Sequence, residues 1–146
     1  MTDGLEGPLS SVGNARGVNV SDADVKRLLV VDDEATICDF VKQVAEDSGF
    51  TVAVATNHEQ FRAAYDSFRP TAILLDLVMP DVDGIALLGI LADADCRAKI
   101  LIMSGYHPEL LRSGFRLGDG YQLDVKGTLH KPFGSAELRV ALQQLA

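Results

Sequence analysis

The stretch ILLDLVMPDVDG, residues 73–84, decides the fold. A run of aliphatic residues stops at an ionisable one, Asp76, and a turn containing Pro80, Asp81 and Gly84 follows at once. A short continuous apolar run bounded by turn residues reads as a strand buried on both faces. Ending such a strand in a carboxylate carries a desolvation cost, so the position asks for a reason.

Working outward, the same pattern recurs along the chain. Leu28-Leu29-Val30-Val31, Thr51 to Ala55, Ile100-Leu101-Ile102-Met103 and Val125 to His130 read as four further strands. Between them lie helical periodicities. Ile37, Phe40, Val41 and Val44 recur at helical spacing, and Gly49 ends that helix. Asn57 with Gln60 reads as a capping box opening a second helix, whose apolar face is Phe61, Ala64, Tyr65 and Phe68. Ile85, Leu88 and Leu91 mark a third helix, and Pro108 opens a fourth through Leu111 and Phe115. Leu138, Ala141, Leu142 and Leu145 mark the last. Five strand–helix units in series predict an α/β domain: a parallel sheet with helices on both faces. Ligands in such sheets bind at the carboxyl ends of the strands.

The chain of 146 residues suits one domain. Residues 1–25, rich in Gly, Ser, Asn and Asp, read as a flexible tail, and 26–146 as the folded domain. A net charge of -8 argues against sequence-independent binding to nucleic acid or an anionic membrane. No apolar stretch approaches spanning length and no leader pattern is present, so a cytoplasmic location is expected. Cys38 and Cys96 lack metal or redox spacing and read as buried free thiols.

Each strand delivers residues to one sheet edge. The first delivers Asp32 and Asp33, with Glu34 after them; the third Asp76; the fourth Ser104 and Gly105; the fifth Lys131 and Pro132. Taken singly, each has an ordinary reading as a cap, a turn or a strand end. Together they bring carboxylates, a hydroxyl and an amine to one place. Converging carboxylates repel, and a hard divalent cation such as Mg²⁺ resolves the repulsion. A phosphoryl group entering such a site meets positive charge and hydrogen-bond donors, and a carboxylate such as Asp76 can act as its nucleophile.

The motifs LLVVDDE (28–34), LLDLVMPDVDG (74–84), LIMSG (101–105) and KPF (131–133) make residues 27–146 resemble the receiver domain of two-component response regulators. The resemblance implies a flavodoxin-like, doubly wound five-stranded parallel sheet of order 2-1-3-4-5 with five helices. It implies phosphorylation of Asp76 by a sensor histidine kinase or a histidine phosphotransfer protein. Mg²⁺ (or Mn²⁺) would be held by Asp33, Asp76 and the Val78 carbonyl, with Asp32 acting mainly through water. Ser104 and Lys131 would contact the phosphoryl oxygens. A downstream protein, unnamed by the sequence, would read the modified state, directly or by phosphorelay. The chain would be a phosphoryl acceptor that slowly dephosphorylates itself, not a metabolic enzyme.

Three departures from the family pattern stand out. Thr128 occupies a position that is commonly an aromatic switch, and Tyr106 is the candidate substitute. Val78 and Tyr106 are bulky groups flanking the expected acyl phosphate, which suggests slow hydrolysis. The segment between Ser104 and Lys131 is longer than usual, and is similar to receivers joined to cyclic-di-GMP phosphodiesterase domains. With no output segment after the fifth helix, a stand-alone receiver is expected; a degenerate receiver that binds partners without phosphate is the alternative. An aspartyl phosphatase of similar fold is disfavoured, because its second aspartate would stand where Val78 does. His58, His107 and His130 are expected on the surface.

Overall fold

The computed structural model describes residues 25–81, 83–105 and 108–146. The chain runs β1 (Arg27–Val31), α1 (Ala35–Asp47), β2 (Thr51–Ala55), α2 (His58–Phe68), β3 (Ala72–Asp76), α3 (Gly84–Asp93), β4 (Lys99–Ser104), α4 (Pro108–Gly120), β5 (Asp124–His130) and α5 (Ser135–Gln143). The five strands form one parallel sheet in the order β2–β1–β3–β4–β5. The expected sheet order and the five helices are therefore present. The expected tail and Tyr106 and His107 lie outside the described residues.

Alternate residues of each strand face opposite sides, so the sheet divides the core in two. Leu29, Val31, Ile73, Leu75, Ile100 and Ile102 pack beneath α2, α3 and α4. Leu28, Val30, Leu74, Leu101 and Met103 pack beneath α1 and α5. β3 is central and all five of its residues are buried. The buried position of the carboxylate at its end is thus a product of strand order.

Local signals behave as their chemistry requires, with some differences. Gly49 takes φ +95°, which releases the chain from α1 at no steric cost. Asn57 caps α2 by accepting from the Gln60 backbone N–H at 2.8 Å. The Gln60 side chain reaches back one residue further than a capping box requires, accepting from the Thr56 N–H at 2.8 Å. In α4, Leu111, Gly114 and Gly118 are buried and Phe115 is 37% exposed. The apolar face expected through Leu111 and Phe115 is corrected to a face of one leucine and two glycines. A Cβ on Gly118 would lie 2.5 Å from Val125 Cγ2, and one on Gly114 would lie 2.8 Å from Leu77 Cδ1. Glycine is what lets α4 approach the sheet this closely.

β5 begins at Asp124, one residue earlier than expected, and carries a register irregularity. Ile100 pairs with Val125 while Leu101 pairs with Gly127, leaving Lys126 as the extra residue. Cys38 and Cys96 are buried free thiols, as expected. His130 is exposed; His58, expected on the surface, is half-buried. Its Nε2 accepts from Arg62 Nε at 3.1 Å, and its backbone N–H donates to Asp81 at 2.9 Å. Among the described residues, no helix is long and apolar enough to cross a membrane.

Candidate functional site

The parallel register brings the ends of β1, β3, β4 and β5 to one edge. Asp32 follows β1 and is fully buried. Its Oδ1 accepts from the Glu34 N–H at 2.9 Å, and its own N–H donates to the Ala55 carbonyl at 3.1 Å. The Cys38 thiol donates to the Asp32 carbonyl at 3.2 Å from beneath. Backbone and side chain of Asp32 are therefore both fixed. Asp33, next in the chain, is exposed.

Asp76 closes β3 and is 3% exposed. Its Oδ1 accepts from the Val78 N–H at 3.1 Å. The Leu77 N–H donates to the Met103 carbonyl, and Gly84 N–H donates to the Leu77 carbonyl, so the turn after Asp76 is tied on both sides. Gly84 permits this by close approach: a Cβ there would lie 2.4 Å from Leu77 Cα. Burial raises the Asp76 carboxyl from its ordinary 3.8 to about 6, and the Asp32 charge adds to the rise; the Val78 N–H and Lys131 oppose it.

Lys131 enters from the end of β5, where its N–H donates to the Ser104 carbonyl at 2.9 Å. The Lys131–Pro132 peptide is cis. The ammonium lies 2.7 Å from Asp32 Oδ2, 3.1 Å from Glu34 Oε1 and 3.2 Å from Asp76 Oδ2. Burial alone would lower its pKa, but the hydrogen bond to Asp32 and the Asp76 and Asp32 charges outweigh it, and the ammonium is held well above its ordinary range. Ser104 closes β4, is fully buried and pairs with His130.

Asp32, Asp33 and Asp76 each offer an oxygen, and these atoms lie within 4.8 Å of one another. A compact set of carboxylate oxygens fits a hard divalent cation, whose charge would relieve their mutual repulsion. Beside them is an open cavity of about 570 Å³, lined in part by Asp33, Glu34, Asp76, Met79 and Lys131. Val78 is 38% exposed at its rim. The structure thus brings together Asp32, Asp33, Asp76, Ser104 and Lys131. Thr128 is exposed on β5, paired with Ile102. Glu34 is placed at this edge by the sequence, but its contact with Lys131 is not, and Cys38 is not read from sequence as part of the site. A thiol under a carbonyl leaves no sequence signal.

Residues 28–143 match the model of the response regulator receiver domain, and the chain belongs to that family. It is 29% identical over 121 residues to the chemotaxis protein CheY of Listeria monocytogenes, covering 82% of this chain and 98% of that protein. It is 29% identical over 136 residues to the transcriptional regulatory protein TrcR of Mycobacterium tuberculosis, covering 92% of this chain but 50% of TrcR. The chain therefore spans half the length of that regulator and nearly all of the chemotaxis protein. Among solved structures, the Francisella response regulator 1452 receiver domain superposes with a TM-score of 0.70 at 28% identity, covering 82% of this chain and 95% of that one. Chemotaxis protein CheY4 of Vibrio cholerae gives 0.72 at 25% identity, covering 84% and 99%. The narrower likeness to receivers joined to cyclic-di-GMP phosphodiesterase domains finds no support in these matches.

Proposed function

We propose that the chain accepts a phosphoryl group on Asp76 from a histidine kinase or histidine phosphotransfer protein, and that the modified state is read by a partner protein or passed on by phosphorelay. The observation that carries this reading is the Asp76 carboxylate: buried at a strand end, within 3.2 Å of Lys131 Nζ, and clustered with Asp32 and Asp33.

In the reaction, an Asp76 oxygen attacks phosphorus and forms a P–O bond. The donor's P–N bond breaks, and its electron pair stays on the imidazole nitrogen, which takes a proton from water. Lys131 donates to the transferred oxygens and offsets the charge arriving beside Asp32. Ser104, buried at the end of β4, would offer its hydroxyl to the same oxygens. Mg²⁺ (or Mn²⁺) would be held by Asp33, Asp76 and the Val78 carbonyl, with Asp32 behind them, and supplies positive charge against the phosphoryl oxygens. The acyl phosphate is expected to hydrolyse slowly beneath Val78.

Intact mass after incubation with MgCl₂ and acetyl phosphate tests the reading. The expected gain is one phosphoryl group, absent in Asp76→Ala and without chelatable metal. No gain from acetyl phosphate, phosphoramidate or a phosphohistidine donor would turn the reading toward a module that binds partners without phosphate. A phosphoryl half-life of seconds would contradict slow hydrolysis.

A further inference from the structure

At the opposite edge of the sheet from Asp76 lies a second cavity, of about 610 Å³, bordered by the guanidinium-bearing residues Arg27, Arg69 and Arg97. Three cationic residues gather here on a chain whose net charge is -8, so their meeting does not reflect a basic surface in general. Among the described residues, none of the three forms an ion pair. Asp66 also borders the cavity, yet it pairs with none of them.

The walls are built rather than loose. Arg27 Nε donates to the Arg69 carbonyl at 2.8 Å, which fixes its guanidinium at the cavity wall. The Arg27 N–H donates to Thr71 Oγ1 at 2.9 Å, and the Thr71 hydroxyl donates to the Arg27 carbonyl at 3.2 Å. Arg69 holds the left-handed conformation at the end of α2, with φ 54°. Tyr65 packs its ring against buried Phe61, centroids 6.1 Å apart, and forms an aromatic wall beside them.

We propose that this cavity binds a small ligand carrying two or more phosphate groups. Guanidinium forks match phosphate oxygens in pairs, and like-charged groups on one cavity favour a polyanion over a single charge. The volume falls in the range of small-ligand sites, roughly 300–1,000 Å³. Tyr65 adds a surface for an aromatic base, so a nucleotide and an inorganic polyphosphate are the two sources of this chemistry.

Titrations of the full chain with pyrophosphate, tripolyphosphate and ATP, in EDTA so that the acidic cluster takes no metal, test the proposal. Amide resonances of Tyr65, Thr71 and Ala98 are expected to shift saturably, with those of Asp76 and Gly105 unmoved. Tighter binding of ATP than of tripolyphosphate identifies a nucleotide site; equal binding identifies a polyphosphate site. Arg69→Asn, which tolerates the left-handed conformation, combined with Arg97→Gln should weaken binding by roughly tenfold or more. The control Arg112→Gln, on exposed α4, should bind as the parent does. Circular dichroism checks that the variants fold. Absence of saturable shifts at millimolar ligand overturns the proposal. So does equal affinity in the double variant, or equal weakening by Arg112→Gln.

Discussion

Asp76 is held in a state that folding alone does not favour. Its carboxyl is raised from 3.8 to about 6, chiefly by burial. Well below pH 3.8 the group is neutral whether the chain is folded or not, and it costs nothing; the cost builds as pH rises from there to about 6. As pH rises through 6, the folded chain must carry a buried charge that the unfolded chain carries in water. The difference amounts to about 3 kcal/mol once both states are ionised. Asp76→Asn is therefore expected to be more stable than the parent at pH 8, by up to that amount, with the gap closing by pH 4. Urea denaturation across that pH range measures it. Added Mg²⁺ should narrow the gap at pH 8, since a cation that binds the folded carboxylates stabilises only the parent fully. The site's acidic positions were legible in sequence, because a carboxylate ending an apolar strand is conspicuous. The reach of Lys131 to Asp32 was not, since it depends on the register of strands 100 residues apart in the chain.

At the level of elements, β1, β3 and β4 are legible as short apolar runs of a parallel sheet, and β2 by its β-branched residues. α4 was legible as a helix, from Pro108 onward, but its seating was not. Periodicity searches count apolar side chains, and the residues that face the sheet here are Leu111, Gly114 and Gly118. Phe115 looked like core and is exposed. The irregularity at Lys126 was hidden for a similar reason: an extra residue in an edge strand changes no composition. The seating can be tested by a mutant cycle. Gly118→Ala gains about 1 kcal/mol of helix propensity, but places a Cβ 2.5 Å from Val125 Cγ2. The contact is with a branched side chain in a strand, so the net expected effect is destabilisation of about 1–2 kcal/mol. Val125→Ala removes the obstructing methyl. In the Val125→Ala background, Gly118→Ala should become neutral or stabilising, and equal costs in both backgrounds would refute the close seating.

Across the whole molecule, the sheet separates two apolar clusters that share few side chains. Leu88, on α3, belongs to one, and Leu142, on α5, to the other. Both are essentially inaccessible to solvent. Leu88→Ala and Leu142→Ala are each expected to cost about 3 kcal/mol. With no shared partners they should add within about 0.5 kcal/mol, whereas two truncations within one cluster should not. Guanidinium denaturation of the single and double variants decides this. The same division places the acidic cluster at the rim where the two halves meet, held from the α1 side by Cys38 and from the α3 side by the Gly84 turn.

The glycine seat of α4 also bears on how the protein opens to solvent over minutes and hours. α1 buries Cys38, Val41, Val44 and Ala45, and α3 buries Leu87, Leu88 and Leu91. α4 fully buries one large side chain, Leu111, with Leu110 partly buried beside it, and otherwise rests backbone against sheet. Lifting it uncovers little apolar surface, so its departure costs much less than unfolding the domain. In heavy water, amide protons of α4 should exchange through a local opening, insensitive to modest denaturant, while those of α1 and α3 wait for global unfolding. The helix that borders the Ser104 end of the site would then be less protected by exchange than α1 and α3, for want of large side chains to hold it down.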